Sequence, residues 1–488
     1  MSGALAGRRV LGLFPPLLRV LLGALPMKSI RAVCGMALLL AACADSAHRA
    51  ASEPAAPSAE LVSLTAASER IGASSAQSPD VAWQRLTELA DRYGYRITGS
   101  AALEHALEWA TTQMRDDGLD AVHLEPVAVP HWIRGREQAR IVQPVDRPLA
   151  ILGLGGGVGT HGTLQAPVVA FESLDALRAS STPLDGKIAF VNHHLPPFDE
   201  AHDDPGYREG VQARVHAASE AAKRGALAVL VRSVTAVSLH TPHTGALSYD
   251  DGVRKIPAAA VSTEDADLLD RLAQHGPVIV ELSLGAHQLA DAPSANAIGE
   301  LRGRELPDEI VLLGAHIDSW DVGPGASDDG AGCVAVIEAL RLLRASGLTP
   351  RRTVRVVLFT GEEYGGAGAR AYWQRHSAEH HVAAFETDYG MAAPDAIGVG
   401  SQARVEAMAP LLPAFAPFGI GRFKPHAFGA DVEPIVAAGA APYDLEPVGR
   451  HYFDIHHTAA DTLDKIRPED LRRNSAAVAL LAHLLAEQ

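Results

Sequence analysis

Residues 314–330 read GAHIDSWDVGPGASDDG, one histidine and four aspartates among glycines, directly after the apolar run Ile310–Leu313. Carboxylates packed that closely repel one another unless a cation stands between them. Three further clusters follow in the same part of the chain. FTGEEYG holds Glu362 and Glu363, FETDYG holds Asp388, and YFDIHHTAADTLDK holds His456, His457 and Asp461. Imidazole and carboxylate donors with few thiolates suit zinc, with cobalt or manganese as borderline substitutes. Three separate carboxylates and two histidines exceed what one tetrahedral catalytic zinc needs. They suit two ions about 3.5–4 Å apart that share a bridging carboxylate.

Each cluster alone has a plainer explanation. Paired glutamates start solvated helices, paired histidines sit on surfaces, and paired aspartates after glycine make turns. Their order, each at or near the end of a strand in one region, is what points to a metal centre.

The elements that must position them alternate from about residue 295. The strand EIVLLGAH precedes the helix AGCVAVIEALRLLRAS, TVRVVLFT precedes GAGARAYWQRHSAEH, and VAAFETD comes next. Such alternation predicts an α/β fold with a largely parallel sheet flanked by helices. Ligands in sheets of this kind bind beyond the carboxyl ends of the strands, where the clusters lie. Upstream, Ser78 is read as the cap of a helix carrying Val81, Leu86 and Leu89, and a second helix from residue 101 stops at Gly118. Between residues 134 and 290 short β-rich runs (PVVAF, KIAFVN, AAAVS, PVIVEL) are broken by turns and by one clear helix, GVQARVHAASEAAKRG. This predicts an inserted β-rich domain, leaving 78–133 and 291–488 as the metal-bearing domain. The glycine-rich GLGGGVGTHG (153–162) leads into a strand, not a helix, so it is read as a turn and not as a dinucleotide loop.

The 488 residues are 47% hydrophobic and 20% charged, ordinary for a folded chain, and allow two or three domains. A formal charge of −16 without a Lys/Arg run argues against nucleic acid as a partner. From Met27 the chain shows a basic n-region (Lys28, Arg31), a short apolar run and Leu40-Ala41-Ala42-Cys43, which resembles a bacterial lipobox. Residues 1–42 are therefore read as a signal peptide, with Met27 preferred as the true start, and 43–77 as a lipidated flexible linker. A plain cleaved signal is the alternative. Localisation follows: an exported protein, expected as an outer-membrane lipoprotein facing the periplasm, or else secreted, with the membrane touched through the lipid anchor alone. Cys333 remains as a single thiol with no internal disulfide partner, and its apolar helix makes it a core residue.

The ordered series H-x-D, D, E-E, D, H resembles the dizinc exopeptidases of metallopeptidase family 28. SLHTPHTGALSYDDGVRKIPAAAVSTEDADLLDRLAQHG, VPHWIRG and HIDSWDVGPGASDDGAG are similar to the carboxypeptidase Q branch of that family and its bacterial relatives. The resemblance implies a phosphorylase/hydrolase-like peptidase domain interrupted by a protease-associated domain, acting on dipeptides or short peptides. Carried over residue by residue, it implies His316 and Asp388 as ligands of one zinc and Glu363 and His457 as ligands of the other. Asp328 is the implied bridge and Asp318 the acid that orients a ligand histidine. Glu362 is the implied general base for a metal-bridging water. His456 stands where many members of the family carry tyrosine, and is read either as an oxyanion donor or as a packing residue. Asp329 is expected to cap the following helix. His240, His243 and Tyr249 either line the substrate entrance or shape a loop. Competing functions are an aminopeptidase of the same family, a glutaminyl cyclase with one zinc, and a non-catalytic peptidase-like receptor. A second copy of the chain is a candidate partner.

Overall fold

The computed structural model describes residues 58–199 and 204–488. The stretch read as a signal peptide and the anchor expected at Cys43 lie outside the described residues. Among the described residues no helix is long and apolar enough to cross a membrane.

One eight-stranded sheet carries the chemistry. Its strands are β1 (Asp120–Val129), β2 (Ala292–Leu301), β3 (Leu306–His316), β4 (Arg352–Phe359), β5 (His380–Glu386), β6 (Ala396–Gly398), β7 (Arg422–Lys424) and β8 (Ala441–Glu446). Their order is β1-β2-β4-β3-β5-β8-β6-β7. The middle four, β4, β3, β5 and β8, run parallel, and antiparallel strands flank them. β3 is apolar on both faces because both are covered. Val311 and Leu313 enter the core beneath helices α1 (Ala59–Gln77), α2 (Val81–Tyr93), α3 (Ala101–Asp116), α4 (Ala331–Ala345) and α6 (Pro468–Glu487). Ile310 and Leu312 face the other way, onto Ala369 and Tyr372 of α5 (Ala367–His376). Leu313 is fully buried, so truncation to Ala there would cost about 2–5 kcal/mol.

Helix α1 corrects the linker reading. Residues 59–77 form nineteen residues of helix with Leu64, Ala67 and Ile71 buried. Their Ala/Ser richness resembled a tether, but Ala is the best helix former and the apolar residues recur at helical spacing. Ser78 is not the cap of α2, which starts at Val81 behind Asp80 with no side-chain cap. Ser100 does cap α3, its Oγ accepting from the Leu103 amide at 3.2 Å, and Gly118 follows that helix with φ +73°.

Between β1 and β2 the chain builds a second eight-stranded sheet from residues 137–284. Its four adjacent strands Leu164–Phe171, Ile188–Val191, Ala228–Arg232 and Ala258–Val261 are parallel. Helices Leu174–Ala179 and Tyr207–Ala222 cover one face and Thr263–His275 the other. The insert is thus α/β, with two more helices than the sequence reading. The missed helix at 263 carried its signal: Ser262 Oγ accepts from the Asp265 amide at 3.2 Å, a Ser-x-x-Asp cap ahead of Ala266 and Leu269. A two-stranded ribbon, Trp132–Ile133 against His287–Gln288, closes the neck of the insert.

Candidate metal centre

The carboxyl ends of β3, β4 and β5 deliver His316, the Glu362–Glu363 pair and Asp388 to one place, and the loop after β8 delivers His457. His316 Nε2 lies 3.2 Å from Asp328 Oδ1 and 3.5 Å from Asp388 Oδ1. His457 Nε2 lies 3.3 Å from Asp328 Oδ2 and 3.0 Å from Glu363 Oε2. Two triads result, His316–Asp328–Asp388 and Asp328–Glu363–His457, with Asp328 common to both through different oxygens. All five residues predicted as ligands are brought together.

The donor atoms fit metal ions better than one another. His316 Nε2 and Glu363 Oε1 are buried without a hydrogen-bond partner, although carboxylate oxygens lie within ion-pair distance of the imidazole. Each histidine also has a carbonyl placed to select the tautomer a ligand requires. His316 Nδ1 faces the Asp318 carbonyl at 3.1 Å and His457 Nδ1 faces the Thr244 carbonyl at 3.3 Å. A proton on Nδ1 donates to that carbonyl and leaves the Nε2 lone pair free. Thr244 belongs to the insert, and its own amide donates to the His457 carbonyl at 3.0 Å. The insert therefore grips one ligand by both backbone groups, and His457 takes a left-handed φ of +59° there.

Crowded acids leave their mark on protonation. Burial and then neighbouring carboxylates, against the pull of His316, push Glu362 up to about 8. Glu363 is driven well above the usual carboxylate range by burial and by Asp328. Burial would lower His316, but Asp388 and Asp328 hold it well above its ordinary value. Without cations this cluster must take up protons, which is the electrostatic signature of a site shaped for positive charge.

Around the ligands the chain is fixed through backbone groups. Asp318 Oδ1 accepts from the amides of Gly361 at 2.7 Å and Glu362 at 3.2 Å, so its carboxylate positions the glutamate pair. It stands 3.8 Å from His316 Nδ1, and the histidine is oriented more closely by the Asp318 carbonyl than by its carboxylate. Asp461 accepts from Ser327 and Asp328 amides at 2.7 and 3.0 Å and so holds the shared aspartate. Asp329 Oδ1 caps helix α4 through the Gly332 amide at 3.1 Å, and its other oxygen takes the His316 amide at 3.2 Å. The Asp328–Asp329 peptide is cis. Cys333 is fully buried, its thiol donating to the His316 carbonyl.

A cavity of about 650 Å³ opens onto the centre. Asp328, Glu362, Glu363, Asp388, His456 and His457 line it from the peptidase sheet, and Tyr207, Arg208 and Arg214 from the insert. Tyr389, Phe428, Tyr452 and Phe453 add an aromatic wall. His456 packs within it, its ring 4.8 Å from both Tyr207 and Phe453, yet both its nitrogens lack partners. Tyr207, Arg214 and Tyr452 carry no signal in the sequence; the Tyr452 hydroxyl donates to Asp388 Oδ1 at 3.1 Å. Of the three insert residues read as entrance or loop, Tyr249 ties its loop through a 2.6 Å bond to the Ile256 carbonyl. His240 is exposed, its amide held by Glu264. His243 is buried, 5.9 Å from the His456 ring. The glycine-rich turn serves as a contact surface: a Cβ on Gly155 would sit 1.9 Å from the Trp320 ring.

The chain is similar to known peptidases. The model of peptidase family M28 matches residues 296–482. Human carboxypeptidase Q is 38% identical over 410 residues, covering 83% of this chain and 85% of that protein. The crystal structure of a peptidase M28 precursor from Shewanella amazonensis superposes with a TM-score of 0.83 at 35% identity, over 88% of this chain and 98% of that one. A zinc aminopeptidase from Bacillus subtilis shares the fold, with a TM-score of 0.61 at 20% identity over 84% of this chain and 95% of that one.

Proposed function

The chain belongs to peptidase family M28 and is a carboxypeptidase Q-like, metal-dependent exopeptidase; from that premise we propose a dizinc enzyme that hydrolyses dipeptides or short peptides. The observation that carries the proposal is the single carboxylate of Asp328 facing His316 with one oxygen and His457 with the other. His316, Asp388 and Asp328 would hold one ion, and Glu363, His457 and Asp328 the second, with cobalt or manganese able to replace zinc. When bound, two such ions acidify a water and polarise the scissile carbonyl.

The protein supplies the rest. Glu362 lines the cavity without belonging to either triad, and the Asp318 carboxylate fixes its backbone. It takes a proton from the attacking water as the C–O bond forms and returns it to the amine as the C–N bond breaks. His456, neutral because burial and then His457 depress its basicity, offers an N–H to the developing oxyanion. Walls contributed by the insert limit the cavity to a short substrate.

The lipobox-like Leu40–Cys43 run supports export and anchoring at Cys43. The activity is tested by mass spectrometry of the products from a panel of dipeptides and longer peptides, with zinc-loaded and chelated protein. Loss of one terminal residue only in the zinc-loaded sample supports the reading. Internal cleavage, cyclisation of an N-terminal glutamine, or no turnover at all rejects it.

A further inference from the structure

We propose that Trp320 is a positioning residue for one ion of the pair, that of the Asp328–Glu363–His457 triad. Its indole N–H holds Glu363 in place through a single buried water, and Gly155 of the insert sets where the ring stands. The inference rests on the two-ion reading and adds what fixes one of the two sites.

Trp320 lies in the loop between His316 and Asp328 and is buried. Its ring meets that of His457 edge-on, with centroids 5.8 Å apart. An indole nitrogen can only donate, and Nε1 of Trp320 is buried with no hydrogen-bond partner among the described residues. A buried donor left unmade is costly, so a native fold supplies it with an acceptor or a water.

One acceptor nearby is uncommitted. A cavity of about 10 Å³, the room that one water needs, lies among Trp320, Asp328, Glu363, His457 and Asp461. Both oxygens of Asp461 accept backbone amides, and each oxygen of Asp328 faces an imidazole. Glu363 Oε2 faces His457 Nε2 at 3.0 Å, while its Oε1 is buried without a hydrogen-bond partner. A water that accepts from Trp320 Nε1 and donates to Glu363 Oε1 satisfies both groups. The terminal torsion of a glutamate has no sharp preference of its own, so this link is what keeps Oε2 turned toward the candidate metal site. His316 and Asp388 do not border the cavity, and the effect therefore belongs to one triad.

The insert reaches the same ring from its other end. Gly155 lies outside the left-handed region, so its backbone would accept an alanine, yet a Cβ there would run into the benzene edge of the Trp320 indole. Its amide donates to the Gly245 carbonyl and its carbonyl accepts from the Leu247 amide, both at 3.0 Å, which pins it within the insert. Trp132 of the neck packs edge-on against Trp320 at 6.5 Å. The missing side chain at 155 is what lets the indole lie beside His457.

The test is calorimetric zinc titration of the chelated, full-length protein. Trp320→Phe should weaken one of two ions by about 10–100-fold and leave the other within about twofold, the pattern of lost support behind a single ligand. In an Asp388→Asn background, which keeps the Glu363–His457 ion, the same change should weaken the ion that remains. Gly155→Ala should weaken that ion too, and should add nothing when combined with Trp320→Phe, because the part of the ring it strikes is gone. Equal weakening of both ions, or of neither, overturns the proposal, and losses at 155 and 320 that multiply overturn the link to the insert. A wild type that binds a single ion overturns the two-ion reading itself. Should Trp320→Phe fail to fold, benzothienylalanine at position 320 decides, since sulfur replaces the N–H in a ring of the same shape. Weakening of a single ion then supports the positioning role, and unchanged zinc affinity refutes it.

Discussion

Arg96 Nε donates to the carbonyl of Ile317 at 2.7 Å, one residue beyond the candidate ligand His316. The same guanidinium donates to Pro324 O at 2.7 Å and Gly325 O at 2.9 Å, and the Arg96 backbone amide donates to Ser319 Oγ at 3.0 Å. A fully buried arginine thus ties together both ends of the loop that carries His316 to Asp328. Arg96→Met leaves three carbonyls short of a donor, each worth about 1–3 kcal/mol when buried. We expect a lower melting temperature and zinc affinity weakened by about 10–100-fold, the usual effect of losing support behind a ligand. Calorimetric titration of the chelated protein measures the second quantity; unchanged affinity would show that the loop holds its shape without the clamp.

The shared aspartate makes metal loss diagnostic. Asp328→Asn should weaken both ions, whereas Asp388→Asn should weaken one, since Asp388 belongs to a single triad. Elemental analysis after zinc loading and removal of weakly bound metal should therefore give about two ions per wild-type chain and about one for Asp388→Asn. Asp328→Asn should hold fewer still. A wild-type ratio fixed at one would remove the co-catalytic mechanism.

Adjacent glutamates should separate by role. Glu362→Gln removes a proton acceptor and leaves both triads complete, so zinc content should persist while turnover falls by roughly 10²–10⁴. Glu363→Gln should release one ion, with partial rescue by added zinc. If Glu362→Gln sheds metal and Glu363→Gln keeps both ions, the two assignments are reversed.

Away from the centre, His381 predicts an acid limit to stability. Burial first, then Arg355, lowers its basicity to about 4, and its Nε2 meets the Tyr372 hydroxyl at 2.9 Å. Because the folded protein binds this proton less well than the unfolded chain, the contribution of His381 is complete above pH 6.5. It is lost as pH falls from there toward 4. The total is about 3 kcal/mol. His381→Gln should flatten the urea-unfolding stability between pH 7 and pH 4.5; an unaltered slope would assign the acid sensitivity to other groups.

Cys43→Ser should move the protein from the membrane fraction to the soluble one in a Gram-negative host. Unchanged fractionation would reject the lipid anchor.

The candidate ligand set was legible because metal chemistry allows few residue types, and because parallel strands place their carboxyl ends together. His316, Asp328, Glu363, Asp388 and His457 each announced themselves by type beside a predicted strand end. Arg96 and Arg214 did not, since an arginine's worth depends on what surrounds it. Arg96 sits between two helices in sequence and Arg214 on a surface-like helix of the insert; only tertiary packing buries them. Asp318 was read as a partner of an imidazole, but amides at 361 and 362 compete better for its oxygen once β4 lies beside β3. The helix at 59–77 was missed because a composition that favours a loose chain also favours helix once Leu64 and Ile71 find a core.

The register of β1 against β2 pairs Val129 with Ala292. Some 160 residues leave the sheet at one point and return beside it, as if the loop of a hairpin had grown into a domain. A tight turn from 129 to 292 would close the same ladder and leave the strands bearing the ligands in place. The insert is therefore dispensable to the topology of the peptidase sheet. Such a deletion would strip away Thr244's hold on His457 and the part of the cavity wall built by Tyr207, Arg208 and Arg214, leaving a more open centre.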